Sequence, residues 1–243
     1  DGPLSDHVER RRPAMTEGAQ DVSEAQARTA AARFFGVDEA TLTLSCVQEG
    51  NLPAYCFSGA DGLYVEVTRA GGFVLGALRD CGAVTPALDP AEAVRRAKTF
   101  LEERGYSGMC ESYYWNDAGV LTVNFAATEG DVLLYPDLVK VGVCLADGSI
   151  ARFEARGYLM NHRERRLSAP EAPAERTALD PRLTVERIRT ALIPTDGGGE
   201  LLCREFLCTA EDGTHLYVYA DAATGAEQRM LIVQESGNGT LVV

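Results

Sequence analysis

The stretch Asp89-Pro90-Ala91-Glu92-Ala93 (residues 89–93) has the form of a helix start. An N-cap Asp can accept a hydrogen bond from the amide three residues on, a Glu there can reach back to the cap, and proline is favoured at the first helical position. The apolar residues that follow are spaced as one stripe on a helix: Ala93, Val94, Ala97, Phe100 and Leu101. The sequence therefore predicts an amphipathic helix that begins at Pro90 and ends near Gly105.

The same pattern, an Asp or Ser followed three residues later by Glu-Ala, occurs twice more. Asp21-Val22-Ser23-Glu24-Ala25 predicts a helix capped by Asp21 and ending near Gly36. Ser168-Ala169-Pro170-Glu171-Ala172 predicts a third helix, which we expect to be short because Pro173 can stand only in its first turn.

Each predicted helix is followed by segments of alternating β-branched and aromatic residues separated by turn residues, which is typical of an antiparallel meander. The predicted strand pairs are 63–68 with 73–78, 138–145 with 150–155, and 216–220 with 228–233. The turn glycines Gly71, Gly148 and Gly225 are spaced by the same interval of 77 residues. This regularity indicates three copies of one supersecondary unit.

The predicted fold class is therefore α+β, with three tandem modules that each pack one helix on an antiparallel β-meander. We place an N-terminal extension at residues 1–20 and the modules at 21–82, 83–167 and 168–243.

Composition and charge exclude several classes of partner. The chain has 243 residues, 46% of them hydrophobic and 24% charged, which is typical of a globular protein. A formal net charge of −13 disfavours nucleic acid and anionic lipid surfaces. Glu164 interrupts the one basic string, Arg163, Arg165 and Arg166, which we interpret as a solvated turn.

No apolar run is long enough for a membrane helix. Because the sequence opens at Asp1 in what reads as a loop, we expect an upstream segment that could carry a signal or an anchor.

The sequence predicts no metal or cofactor site. Seven cysteines leave at least one thiol free in a monomer, no Cys-x-x-Cys occurs, and the three histidines are widely separated. Cys203 and Cys208, five apart in a predicted strand, would face opposite sides of the sheet. We expect the cysteines to be buried thiols.

No string has the spacing of a catalytic constellation, so we predict that the protein is not an enzyme. Gly105-Tyr106-Ser107-Gly108 follows a helix and lacks the spacing of a nucleophile elbow, which favours a helix C-cap. Asp196-Gly197-Gly198-Gly199 and Asn238-Gly239-Thr240 are better interpreted as hairpin turns than as a phosphate loop and a glycosylation site.

Polar and aromatic side chains cluster near the end of the second predicted module. His162, the one histidine in a conspicuous setting, is expected to have a structural or interface role. As a partner-binding surface we predict Tyr135, Asp137, Tyr158, Asn161, His162 and Arg163.

Several strings resemble the YpeB germination protein family. Asp1-Gly2-Pro3-Leu4-Ser5-Asp6-His7 is similar to that family's Asp-Gly-Pro-Phe-Ser-Asp/Glu-His segment, with Leu4 in place of Phe. The segments 124–126, 135–141, 147–148 and 157–162 resemble its second PepSY unit, and 191–195, 203–206, 217–219 and 222–225 resemble its third. The first module matches most loosely.

The resemblance implies tandem PepSY domains from a Gram-positive spore former, lying outside the cytoplasmic membrane in the spore inner membrane and cortex region. A membrane-anchored region would precede this chain. It also implies a partner, a cortex-lytic enzyme of the SleB type that the protein binds, stabilises and holds inactive. The alternative is a PepSY-type protease inhibitor or propeptide-like module. A peptidoglycan hydrolase is a third possibility, but the chain has no acid pair with the spacing of a glycosidase site.

Overall fold

The computed structural model describes residues 12–82, 85–167, 179–236 and 239–242. Within them lie three α-helices, α1 (Glu24–Phe35), α2 (Pro90–Glu103) and α3 (Arg156–Asn161), and one 3-10 turn, Glu39–Thr41. The first eight strands are β1 (Thr43–Gln48), β2 (Ala54–Ser58), β3 (Tyr64–Thr68), β4 (Val74–Leu78), β5 (Met109–Asp117), β6 (Val120–Glu129), β7 (Val132–Cys144) and β8 (Ile150–Glu154). The remaining strands are β9 (Thr184–Pro194), β10 (Glu200–Thr209), β11 (His215–Asp221), β12 (Glu227–Ser236) and β13 (Gly239–Val242).

The strands form one sheet in the order β1-β2-β3-β4-β8-β7-β6-β5-β13-β12-β11-β10-β9. Neighbours in this order are antiparallel, and β4 pairs with β8, so the first two meanders share a continuous eight-stranded sheet. A short parallel pairing of β7 with β9 closes part of the sheet into a circuit, in the order β7-β6-β5-β13-β12-β11-β10-β9 and back to β7. Strand β1 lies at the other end of the sheet, outside this circuit. The predicted α+β class is confirmed.

A helix followed by a four-stranded meander occurs twice, as α1 with β1 to β4 and α2 with β5 to β8. The third predicted helix, from Ser168, falls largely outside the described residues, as do Asp1 to His7 and Asn238. The division into three modules at 21–82, 83–167 and 168–243 stays a prediction.

The start of α2 is the one predicted, but that of α1 is not. Asp89 caps α2 by accepting a hydrogen bond from the Glu92 amide, and Pro90 occupies the first turn. The cap of α1 is Ser23, which forms a capping box with Gln26, so the predicted Asp21 cap was wrong. Asp21 instead forms a β-bridge with Ala70, which keeps the chain extended until Ser23.

The three turn glycines share one conformation. The backbone φ angles of Gly71, Gly148 and Gly225 are 80°, 78° and 78°, in the left-handed region that favours glycine. Each glycine connects two adjacent antiparallel strands, β3 to β4, β7 to β8 and β11 to β12. The predicted turn positions are therefore confirmed.

The largest apolar core lies between the helices and the first eight strands. The Phe34 ring of α1 lies 5.4 Å from the Phe100 ring of α2 and 4.7 Å from the Phe153 ring of β8. A second cluster, inside the closed circuit, includes Leu138 and Tyr219. The two helices are therefore held mainly by apolar contact.

The expectation that the cysteines are buried thiols was wrong for four of the seven, because two form a disulfide, Cys46 is exposed and Cys110 is partly buried. Cys81, just after β4, and Cys144, at the end of β7, form a disulfide with a Cα separation of 5.7 Å. These residues lie 63 apart in sequence, and only the β4–β8–β7 pairing brings them together. Cys56, Cys203 and Cys208 are buried thiols, as expected.

Candidate functional site

Five of the six residues predicted as an interaction surface lie together where α3 packs on a bulged part of β7, whereas the Tyr135 side chain contacts Tyr219 and Glu205 instead. Tyr135 and Asp137 lie in β7, Tyr158 and Asn161 in α3, and the other two follow directly. The helix approaches the strand closely because it carries Gly157, where an added Cβ would lie 3.1 Å from the Leu138 carbonyl oxygen. The Asn161 amide fixes the contact by donating hydrogen bonds to the Pro136 and Gly157 carbonyls.

An ion-pair network lies beneath this contact, and we call Asp137, Arg165 and Glu200 the α3 triad. Arg165 Nη1 and Nη2 lie 2.8 and 2.7 Å from the two Asp137 carboxylate oxygens. The same guanidinium lies 3.0 and 3.1 Å from the Glu200 oxygens. The Arg165 and Asp137 side chains are only 5% and 0% exposed, so the expectation of a solvated turn was wrong for Arg165.

The triad keeps Arg165 charged. Burial by itself would lower the pKa of Arg165, but the hydrogen bonds that its guanidinium donates to Asp137 and Glu200 outweigh burial and raise the pKa above its ordinary value. A bidentate guanidinium–carboxylate pair also fixes the relative orientation of its two ends. The triad therefore holds three parts of the chain together: β7 through Asp137, the segment that follows α3 through Arg165, and β10 through Glu200.

His162 extends this network to the surface. Its Nδ1 lies 2.8 Å from Asp137 Oδ2, and its ring stacks on Tyr158 at 4.1 Å and 16°. Tyr158 in turn contacts the Tyr106 ring edge-on at 5.1 Å. The structural or interface role expected for His162 stays a prediction.

A second buried polar cluster lies inside the closed circuit of strands, around Glu205 of β10. Tyr135 and Tyr219 both donate hydrogen bonds to this carboxylate, and Arg189 pairs with it at 2.6 Å. Burial, followed by interaction with neighbouring groups that include Glu205, raises the pKa of both tyrosines well above 10. These contacts satisfy a carboxylate that would otherwise be costly to bury.

Only part of the predicted surface is exposed. Tyr135, Asp137 and Asn161 are buried. The Asp137 and Asn161 side chains support the site from within, whereas Tyr135 belongs to the Glu205 cluster. Tyr158 and His162 are half-buried, and the Arg163 side chain is 44% exposed and pairs with Glu200 at 3.0 Å. Whether these three contact a partner stays a prediction.

Beside Tyr158 lies a cavity of about 680 Å³ between α1, α2, α3 and the β3–β4 hairpin. Aromatic and charged side chains line it, among them Phe34, Arg104, Tyr106 and Tyr158. Arg104 is fixed there, because its Nε donates to the Phe34 carbonyl at 2.9 Å and its guanidinium lies 4.2 Å from the Phe100 ring centre. The cavity and α3 together form a concave, preorganised surface.

Sequence reasoning missed Arg165, Glu200, Arg189, Glu205 and Tyr219. Their partners lie 14 to 70 residues away, so no local spacing indicated them. The Arg163–Arg166 string was the one available signal, and it was interpreted as a solvated turn.

The polar groups of the site pair mainly with one another. Its carboxylates are engaged by arginine, histidine or tyrosine, as the distances above show. In the part of the chain that the structure describes, no group of three His, Cys, Asp or Glu side chains is placed to hold a metal ion. Gly105 and Gly108 follow α2 with positive φ, and Thr195 and Gly199 close the β9–β10 turn with a 3.0 Å hydrogen bond. Both glycine-rich strings are therefore structural.

Comparison with known proteins gives a consistent family. A family model described as "YpeB sporulation, PepSY1 and PepSY2 domains" matches residues 1–168. The sporulation protein YpeB of Halalkalibacterium halodurans is 36% identical over 71% of this chain and 39% of its own length. YpeB of Bacillus subtilis is 29% identical over 86% of this chain and 48% of its own length.

The Bacillus megaterium YpeB C-terminal domain has a similar fold. It superposes with a TM-score of 0.77 at 26% identity, covering 89% of this chain and all of that one. The chain spans less than half the length of the curated relatives it matches. None of the helices that the structure describes is long and apolar enough to cross a membrane.

Proposed function

The chain belongs to the YpeB sporulation protein family, with its PepSY domains, and on that premise we propose that it is a noncatalytic germination protein. In this proposal it binds and stabilises a SleB-type, peptidoglycan-degrading cortex-lytic enzyme and holds it inactive. The place of action would be outside the cytoplasmic membrane, in the region of the spore inner membrane and cortex. The module boundaries given above, with a third PepSY-like unit at 168–243, are part of the proposal.

One observation carries the binding proposal, the surface at α3 that is exposed outside and held rigidly from beneath. Tyr158, His162 and Arg163 keep solvent-accessible area beside the cavity, while the α3 triad fixes the backbone that presents them. Tyrosine and arginine are enriched among residues that dominate binding energy. A surface that is already ordered loses less conformational freedom on binding.

The test is titration calorimetry of the purified chain with a SleB-type enzyme. We expect a complex, and we expect Tyr158→Ala with His162→Ala to weaken it at least about tenfold, as for a binding hot spot. His215→Ala is a matched control, because the His215 side chain is 35% exposed, close to the 34% of His162, and lies in β11.

Two readouts separate this function from its rivals. Thermal unfolding of each variant shows whether lost binding reflects lost structure. Release of soluble fragments from peptidoglycan should be absent with the chain alone and lower with chain plus enzyme than with enzyme alone. If the chain forms no complex with the enzyme, or releases fragments itself, the proposal is wrong.

A further inference from the structure

Two free cysteines face each other across the open edge of the sheet. Cys46 lies in β1, which pairs only with β2 among the described strands, and its partner in the antiparallel register is Cys56. Residues directly opposite in such a pair have Cα atoms about 4.5–5.5 Å apart, and disulfides span about 4.4–6.8 Å. The register therefore places this pair within the range of a covalent bond.

The surroundings distinguish the two thiols. Cys46 is exposed, and Cys56 is buried and within hydrogen-bonding reach of it. Burial is the largest cause that raises the pKa of Cys56, to about 11, and the Glu66 charge adds to it. Tyr64 lies against both, with its hydroxyl 4.0 Å from the Cys46 sulfur. Cys46 is thus the accessible thiol, and Cys56 lies behind it as a resolving partner.

The strand pairing beside the cysteines is irregular. The β1–β2 register shifts between Leu44 and Cys46, and β1 is exposed along most of its length. A covalent bond between the strands would fix the register next to this bulge. Elsewhere the chain already holds the Cys81–Cys144 disulfide, a bond that persists where thiols are not kept reduced.

We propose that Cys46 and Cys56 form a redox modification site, which closes to a cross-strand disulfide by exchange with a small-molecule disulfide. The Cys46 thiolate attacks one sulfur of the small disulfide, forms a mixed disulfide and releases one small thiolate. Cys56 then loses its proton and attacks the Cys46 sulfur, which releases the second small thiol. The chain is oxidised by two electrons, and the small disulfide is reduced to two thiols.

The closed form fixes an open edge of the described sheet. An edge strand has unpaired backbone N–H and C=O groups that can bond to an added strand. How easily an added strand pairs with it depends on how straight and how mobile the edge strand is. With Cys46 bonded to Cys56, β1 can no longer separate from β2. Oxidation therefore changes the edge that would accept a partner strand, far from the α3 surface.

The test is oxidation of the folded chain with glutathione disulfide, followed by alkylation of the remaining thiols and mass spectrometry. Five thiols are free before treatment. We expect three alkylated sites after it, with Cys46 and Cys56 joined in one cross-linked peptide. We also expect amide hydrogen exchange in β1 to slow on oxidation and to recover after mild reduction.

Substitutions identify the two steps. In Cys56→Ala, a glutathione adduct should accumulate on Cys46, and in Cys46→Ser no thiol should be lost at Cys56. Since Cys46 is exposed, Cys46→Ser should retain the fold, and near-ultraviolet circular dichroism checks both variants. Cys110→Ser is a control at a partly buried thiol and should still lose the Cys46 and Cys56 thiols together. Five alkylated thiols after full treatment, or a stable adduct on Cys46 with Cys56 present, would overturn the proposal.

Discussion

The part of the sheet that carries α1 and α2 and the part closed by β9 to β13 are built of similar strands but stabilised differently. In the first, the rings of Phe34, Phe100 and Phe153 pack the helices on the sheet. In the second, carboxylates are buried with arginine partners, in the α3 triad and around Glu205. Apolar packing tolerates small changes gradually, whereas a buried charge that loses its partner is strongly destabilising.

The largest effect is expected when the α3 triad loses its cation. Arg165→Ala leaves Asp137 and Glu200 facing each other without the guanidinium, and we expect it to lower the free energy of unfolding by about 3–5 kcal/mol. Urea unfolding measures this difference. Arg163→Ala is the matched control, because the Arg163 side chain is 44% exposed and its ion pair should contribute less than about 1 kcal/mol. Equal effects of the two variants would contradict the distinction between the regions.

The disulfide gives the next largest expected effect and lies in the apolar region. Replacing Cys81 and Cys144 together by Ser frees a closed loop between positions 63 residues apart, and we expect a loss of about 2–4 kcal/mol. Thermal and urea unfolding in the absence of reductant measure it. Cys110→Ser is the control, since Cys110 is a free thiol of intermediate burial. A double variant as stable as the parent chain would show that the β4–β8–β7 pairing alone sets this geometry.

Two shape-conserving substitutions sharpen the comparison directly. Glu205→Gln keeps the volume but removes the charge opposite Arg189, and we expect a loss of about 1.5–3 kcal/mol. Met160→Leu, at a fully buried position of the apolar core, should cost less than about 1.5 kcal/mol. Urea midpoints at equal ionic strength measure both. A larger loss from Met160→Leu than from Glu205→Gln would reverse our interpretation of the two cores.

A further loss of stability is expected in alkali. The pKa of Tyr135 and of Tyr219 is raised above its ordinary value of 10 in the folded chain, mainly by burial, so the unfolded chain releases these protons first. The contribution of the two raised pKa values to the free energy of unfolding is complete below pH 10. It is lost as the pH rises above 10, by about 1.4 kcal/mol per pH unit for each tyrosine.

Unfolding free energies at about pH 9 and about pH 11 test this dependence. The double variant Tyr135→Phe/Tyr219→Phe should be less stable at both values, because Glu205 loses two hydrogen bonds, but its stability should fall less between them. An unchanged pH dependence in that variant would show that other groups control the alkaline loss.

The sequence predicted features that are decided within a few residues. The Asp89 cap, the Pro90 start and the three glycine turns are such cases, and the structure confirms them. The predicted cap of α1 was two residues too early. Ser23 and Gln26 also have the spacing of a capping box, in which Gln can take the place of Glu. The bridge from Asp21 to Ala70, which favours the later start, is not visible in a local window.

Pairings between distant segments were beyond sequence reasoning. The parallel contact of β7 with β9, the Cys81–Cys144 bond and the α3 triad each depend on which strands become neighbours. Tyr158, His162 and Arg163 of the predicted surface lie together at α3, and their role in partner binding stays a prediction. The ion pairs beneath these residues were not predicted. The sequence around Arg165 is that of a solvated arginine, and only the folded chain places Asp137 and Glu200 beside it.

The pairing of β5 with β13 has a kinetic consequence. Trp115 in β5 is matched with Gly239 in β13, so a strand near the middle of the chain gains its second neighbour from one of the last segments. Contacts of such long sequence separation slow folding, because the loop between them must close before they contribute. During synthesis, α1 with β1 to β4 can form early, whereas the β5 edge stays open until the final strand is available. For that interval the β5 edge is open to mispairing between chains.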